Sequence, residues 1–332
     1  MSKDDKILSI QYLRGLAALG VVLCHYSMLL SNYPLLGSAL SFGQMGVLIF
    51  FFISGFIVTY SLEMSGYKPR QFFTFLIKRS IRIDPPYWAT IVLYISLGYF
   101  FNNLPSYRGL TFKFNIGHLI AHLIYAVPFT QHPFYYSHVF WTLCVEFQFY
   151  ILIGLLYFVS ENRIYKTIFL LAFGAVSMVH FNIDALIFNY SAIFAFGISF
   201  MIFYSKRNKR NVILPVSFIC LIAYCDGVVI AFVLLVACVI VMFVTNRRIK
   251  LLYFLGDISY SLYLIHSFVG EICNGVFKRL AISQYQLVCF NIELIVALLF
   301  AWLLYLLVEK PAIGLSKKFI YQRTFSNQLR IR

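Results

Sequence analysis

The sequence predicts an all-α integral membrane protein, a bundle of about ten transmembrane helices with both termini inside and no soluble domain. Three observations carry this prediction. The 332 residues are 61% hydrophobic and 12% charged, where soluble domains run at roughly 45–50% and about 25%. Apolar runs near the ~20 residues that a helix needs to cross a bilayer recur along the whole chain. The basic residues, 27 Lys and Arg against 12 Asp and Glu, then fall on one side of the spans that hydropathy alone defines.

The runs lie at 8–30, 40–62, 84–101, 139–159, 167–181, 186–205, 212–225, 227–245, 251–275 and 286–308, the fifth and seventh being the shortest. The first contains Arg14 and has no small-residue cleavage site, so it reads as a retained span rather than a signal peptide. With the N-terminus inside, only Arg108, Lys113, Lys278 and Arg279 fall in outer loops. Every other Lys or Arg except Arg14 is then on the inner side. This is the positive-inside pattern. It explains the basic excess without nucleic acid, for which the chain has no motif. Residues 1–310 read as one membrane domain and 311–332 as a basic cytoplasmic tail. The seven cysteines lie mostly in apolar runs and form no C-x-x-C, so they read as small hydrophobes rather than disulfide or zinc ligands.

The stretch at 102–138 and the tail are too short to bury a core of their own, which places any chemistry in or at the membrane. Within that outer stretch, IGHLIAHLIYAVPF at 116–129 is apolar but too short to span, and is expected to be re-entrant or interfacial. His118 and His122 have metal-ligand spacing but no H-E-x-x-H and no third ligand on the same element, so no metal is expected.

Ionisable groups within spans are costly and mark a pathway or a site. Arg14 and His25 are eleven positions apart, which at 100° per residue puts them on one helix face about 16 Å apart along the axis. Glu146, about two turns into the fourth span from outside, falls at a similar depth to His25 and is expected to orient its imidazole as a base. Ser259, Tyr263 and His266 share a face of the ninth span, as pore lining or as interhelical glue, with Asp257 near its inner end. Arg79 and Arg82, one turn apart at the inner surface, suit a phosphate clamp as well as positive-inside anchoring. The prolines at 85 and 86 are expected to end that helix. Tyr87 and Trp141 are candidate walls for an acyl or sugar group.

These residues also carry a family likeness. YLRGLAALGVVLCH at 12–25 resembles the opening motif of the membrane-bound acyltransferase-3 family, the bacterial O-acyltransferases of surface polysaccharides. The agreement continues in order through GVLIFFFISGF at 46–56, RSIRIDPPYW at 79–88, FWTLCVEFQFY at 140–150, LGDISYSLYLIH at 255–266 and VEKP at 308–311. Thr142 stands where the family often has Ser, and Asp84 puts an anion beside the arginines.

The resemblance implies a ten-helix enzyme of the bacterial inner membrane, similar to stand-alone O-antigen O-acetyltransferases. It implies acetyl-CoA as the donor and, as the acceptor, a hydroxyl on a glycan or polyprenyl-linked saccharide outside. By the family motif, the Arg-His pair falls on Arg14 and His25 and the inner arginines on Arg79 and Arg82. Two alternatives stand beside this reading. One is a multi-span secondary transporter, although the halves show no clear repeat and no matching broken helices. The other is an acyltransferase acting on a cytoplasmic lipid or a small molecule such as a nodulation factor or antibiotic.

Overall fold

The computed structural model describes residues 8–103, 113–159, 161–206, 208–244 and 249–319. Lys3, Lys6, Arg108, Arg207, Arg247, Arg248 and the tail beyond 319, which enter the charge asymmetry, lie outside the described residues. Among the described residues there are helices and no strands. The first seven helices are α1 (Leu8–Tyr26), α2 (Pro34–Ser41), α3 (Gly46–Ser65), α4 (Phe72–Asn102), α5 (Ile116–Leu123), α6 (Trp141–Leu152) and α7 (Arg163–Ala175). They are followed by α8 (Ser191–Lys206), α9 (Ile213–Cys225), α10 (Val228–Phe243), α11 (Lys250–Arg279), α12 (Gln286–Leu304) and α13 (Lys310–Ser316).

Among the described residues, four helical stretches are long and apolar enough to cross a membrane: Leu8–Leu29, Pro34–Ser65, Ile187–Ser205 and Gln286–Ser316. Trp141–Tyr157, Arg210–Cys225 and Val228–Phe243 are shorter apolar helices. The runs expected at 84–101 and 251–275 belong to α4 and α11, the two longest helices. Their extra length carries charge, with Lys78, Arg79 and Arg82 on α4 and Lys250, Lys278 and Arg279 on α11.

The double proline does not end a helix, contrary to the expectation from sequence. α4 runs unbroken through Pro85 and Pro86 to Asn102. Proline removes a donor and crowds the preceding turn, and helices in lipid tolerate this when neighbours satisfy the freed groups. The carbonyls that lose a helical donor to the prolines are those of Ile81 and Arg82; beside them the Tyr260 hydroxyl of α11 donates to the Ile83 carbonyl at 2.9 Å, and Thr90 Oγ1 donates back to the Pro86 carbonyl at 2.7 Å. Asp84 is thereby held inside the bundle, 8% exposed.

The apolar stretch at 116–129 turns into the bundle at Tyr125, a non-glycine residue at φ 58°. Its ring stacks between Tyr87 and Phe147, and its hydroxyl donates to Asp84 Oδ1 at 2.6 Å. His122, fully buried just before it, donates from Nδ1 to the His118 carbonyl at 2.9 Å and accepts the Tyr136 backbone N–H on Nε2. Both ring nitrogens are occupied. Burial, which disfavours the imidazolium, holds its pKa down at about 4.

Two apolar cores flank the middle of the bundle. One, rich in phenylalanine, joins α3, α6 and α8 through Phe52, Phe149 and Phe194. The other joins α1, α4 and α11 through Val22, Tyr87 and Ile265. α1 and α11 pack parallel along most of α1. Gln11 Nε2 donates to Asp257 Oδ1 at 2.7 Å at one end, and Tyr26 donates to the His266 carbonyl at 2.8 Å at the other. Glycine permits this approach. A Cβ on Gly15 would lie 2.7 Å from the Gly256 nitrogen, and one on Gly256 would strike the Gln11 carbonyl oxygen. Small residues that let backbones meet are the usual means of helix association in lipid.

Candidate active site

The parallel α1–α11 pair fixes the relation between the two ionisable residues of the first helix and the polar face of the ninth expected span. His25 and His266 are one contact: His25 Nδ1 lies 2.8 Å from His266 Nε2, with the rings stacked at a centroid distance of 5.0 Å. His266 is fully buried, and its Nδ1 lies 3.1 Å from the Leu262 carbonyl. A carbonyl can only accept, so this nitrogen carries the hydrogen and Nε2 of a neutral His266 is the acceptor. The hydrogen-bond pattern therefore assigns the donor to His25 Nδ1. His25 is left with a lone pair on Nε2, the form in which an imidazole serves as base or nucleophile. Ser267 Oγ lies 3.3 Å from the same His266 Nε2.

Glu146 does not occupy the orienting position expected for it. Its Oε1 accepts from Ser54 at 2.7 Å and from Tyr150, and His266 fills the place beside His25. Depth along a span says nothing of which way the helix faces. Glu146 faces α3 and the inner arginines, and shares with Arg79, Asp84, Tyr125 and Tyr150 the lining of a small polar cavity.

The three arginines, predicted from separate segments, converge. Arg82 stands within electrostatic reach of both Arg14 and Arg79, with Glu309 as the nearby opposite charge. Arg79 also lies over the Tyr150 and Phe75 rings, 5.4 and 5.6 Å from their centroids. Guanidiniums gathered in this way repel one another, so the cluster is electrostatically matched to a polyanion such as a phosphate chain. Glu309 had no role assigned from sequence. A π-helical turn, Tyr305–Glu309, continues α12 and delivers its carboxylate to α11, where Ser261 donates from N and Oγ to Oε2 at 3.2 and 2.6 Å. An acid closing a long apolar helix, in the quoted VEKP block, was the available signal.

The remaining candidates separate. Tyr263, 5% exposed, hydrogen-bonds Thr142 at 2.9 Å and lies next to His266, with ring centroids 6.0 Å apart. Ser259 is fully buried and turns back to the Gly256 carbonyl at 2.8 Å, within the α1–α11 contact. Tyr87 packs against Tyr125 and Phe140, its hydroxyl enclosed without a hydrogen-bond partner among the described residues. Trp141 packs against Phe51 and Tyr190 in the phenylalanine-rich core.

The sequence comparisons bear on this arrangement. A family described as an acyltransferase domain matches residues 7–308. Over 300 residues the chain is 28% identical to ORF330 of Acidianus two-tailed virus, whose name assigns it provisionally to the acetyltransferases; the match covers 80% of this chain and 84% of that protein. Nodulation protein 10 of Rhizobium leguminosarum bv. viciae is 35% identical over 162 residues, 43% of this chain and 42% of its own length. No solved structure matches the chain. The family match takes in the histidine pair, the three arginines and Glu146, and the chain belongs to the acyltransferase-3 family.

Proposed function

We propose that the protein is an O-acetyltransferase that takes an acetyl group from acetyl-CoA at the inner face and passes it to a hydroxyl of a glycan, such as O-antigen, or of a polyprenyl-linked saccharide at the outer face. In this reading ten spans cross the bacterial inner membrane with both termini inside, and the basic tail beyond residue 310 is cytoplasmic. The charge asymmetry of the sequence supports that orientation.

The observation that carries the proposal is the His25 Nδ1–His266 Nε2 contact, which leaves His25 Nε2 without a hydrogen-bond partner among the described residues, on the same helix face as Arg14 and about 16 Å further along the axis. Bound acetyl-CoA supplies an acyl thioester. Arg14, Arg79 and Arg82 hold its phosphates, and Glu146 with Tyr150 keeps Arg79 in place. His25 Nε2 takes the proton of the acceptor hydroxyl as its oxygen bonds to the acyl carbon. The carbon–sulfur bond breaks, and the same proton passes to the departing sulfur. His266, accepting from Nδ1–H, stabilises the imidazolium in between. Tyr263, Tyr87 and Trp141 are assigned to the walls and supporting shell.

Family membership weighs against the transporter alternative. A small-molecule acceptor of the nodulation type remains as a second reading, favoured by the likeness to Nodulation protein 10. Mass spectrometry of surface glycans from cells with and without the chain separates the two. One added acetyl per repeat supports the glycan reading. Unchanged glycans together with an acetylated small molecule in the extract support the second, and neither product overturns the acetyl-transfer proposal. Orientation is tested in a cysteine-free background, where Cys at Asn208 should resist an impermeant thiol reagent and Cys at Gln131 should label.

A further inference from the structure

Away from the histidines and arginines described above, the structure contains a larger cavity of mixed lining, of about 480 Å³, bounded by Glu63, Tyr157 and Glu161 and by the first turns of α7 and α9. The C-terminal ends of α3 and α8 reach the same place through Glu63 and Ile202. Three cations line it: Arg163 and Lys166 from α7 and Arg210 from the turn before α9. Arg163 is braced across the cavity by donating to Asn211 Oδ1 at 2.6 Å, which engages one of its five N–H donors. Lys166 is held 3.7 Å from Glu63, over the Tyr157 and Phe158 rings.

The opposite wall is apolar. Leu171, Ile213 and Leu214 line it, and Ile213 and the neighbouring Ile168 turn outward, 68% and 61% exposed. In a bundle embedded in lipid, such outward apolar side chains face hydrocarbon. The cavity therefore joins a cationic end to a wall that continues into the lipid-facing surface. The positive-inside distribution sets the cationic end at the inner headgroup level, where anionic lipids attract Lys and Arg at about 1 kcal/mol each. The first turn of α7, capped by Asn162, lines it as well, and a helix N-terminus favours a nearby anion.

We propose that this cavity binds one acidic phospholipid, its phosphate on Arg163 and Arg210 and an acyl chain along Leu171 and Ile213. Cations outnumber acids three to two, and Glu63 is already engaged with Lys166, which favours a net anionic headgroup over a zwitterionic one. The apolar wall favours a lipid over a free phosphate. The site rests on none of the residues assigned to acyl transfer, so the two proposals stand or fall separately.

The test uses the full-length protein purified in neutral detergent and native mass spectrometry with added phosphatidylglycerol or phosphatidylethanolamine. Phosphatidylglycerol should be retained about tenfold or more over phosphatidylethanolamine. Arg210→Glu, at an exposed position, should abolish that preference, and Arg210→Lys should keep it. Arg163→Gln should weaken retention, and Lys278→Gln, on a different helix end, should leave it unchanged. Equal retention of the two lipids, or retention by Arg210→Glu equal to wild type, overturns the proposal. Release of bound phosphatidylglycerol by millimolar coenzyme A or inorganic phosphate overturns it in favour of a soluble-anion site.

Discussion

His25 and His266 lie 241 positions apart in sequence and 2.8 Å apart in space, on parallel helices whose backbones nearly touch at Gly15 and Gly256. A histidine that only bridges membrane helices contributes about 0.6 kcal/mol, so a bridging pair would tolerate substitution. A general base contributes about 10²–10⁴-fold. His25→Gln is therefore expected to lose acyl transfer by at least about 10²-fold while purified protein still binds coenzyme A. His266→Ala should lose less and displace the pH–rate profile, because it removes the acceptor that stabilises protonated His25. Activity close to wild type in His25→Gln would sink the assignment.

The arginine cluster predicts a different signature. Arg79→Ala and Arg82→Ala should raise the donor concentration needed for half-maximal rate, since charge-assisted bonds to phosphate are about twice as strong as neutral ones. Lys should rescue only in part, having no fork to offer. Glu309→Gln is expected instead to lower thermal stability, because it leaves the buried guanidiniums without their nearby anion. Donor titrations beside melting curves in detergent distinguish the two effects.

Close packing of α1 on α11 is tested by glycine replacements on a single helix. Gly256→Ala drives a methyl into the Gln11 carbonyl and should cost about 1–3 kcal/mol. Gly275→Ala, with nothing within 4 Å of its Cβ, should be neutral or stabilising by about 0.5–1 kcal/mol. Equal melting temperatures for the two variants would contradict the contact.

The buried His122 gives a pH dependence. Its folded pKa of about 4 lies below the unfolded value of about 6.5, so between these the unfolded chain binds more protons. Stability should be full above about pH 6.5 and should decline as pH falls towards 4. His122→Gln should flatten that decline, which thermal melts across the interval will show.

The membrane class and the meeting of Arg14 with the Arg79–Arg82 pair were legible in the sequence, because burial cost and charge bias act on single residues and leave their mark locally. Partnership was less legible. Spacing gave the shared face of Tyr263 and His266, but which helix meets that face depends on where backbones can approach, and the glycines that decide it carry no chemical signal. Glu146 was given the wrong neighbour for want of such a signal. The double proline misled because the rule that breaks a helix in water is relaxed for a helix packed inside a membrane bundle.

The pairing of α1 with α11 also bears on how the molecule is made. His25 enters the membrane with the first helix, but its hydrogen-bonding partner is synthesised 241 residues later, and Glu309, the anion beside Arg14 and Arg82, later still. For most of translation, the newborn chain carries uncompensated polar groups in lipid. At the ~5–20 residues per second typical of synthesis, that interval lasts on the order of tens of seconds. Nascent chains stalled before α11 should therefore be preferred targets of membrane proteases and insertase chaperones, whereas chains released beyond Glu309 should escape them.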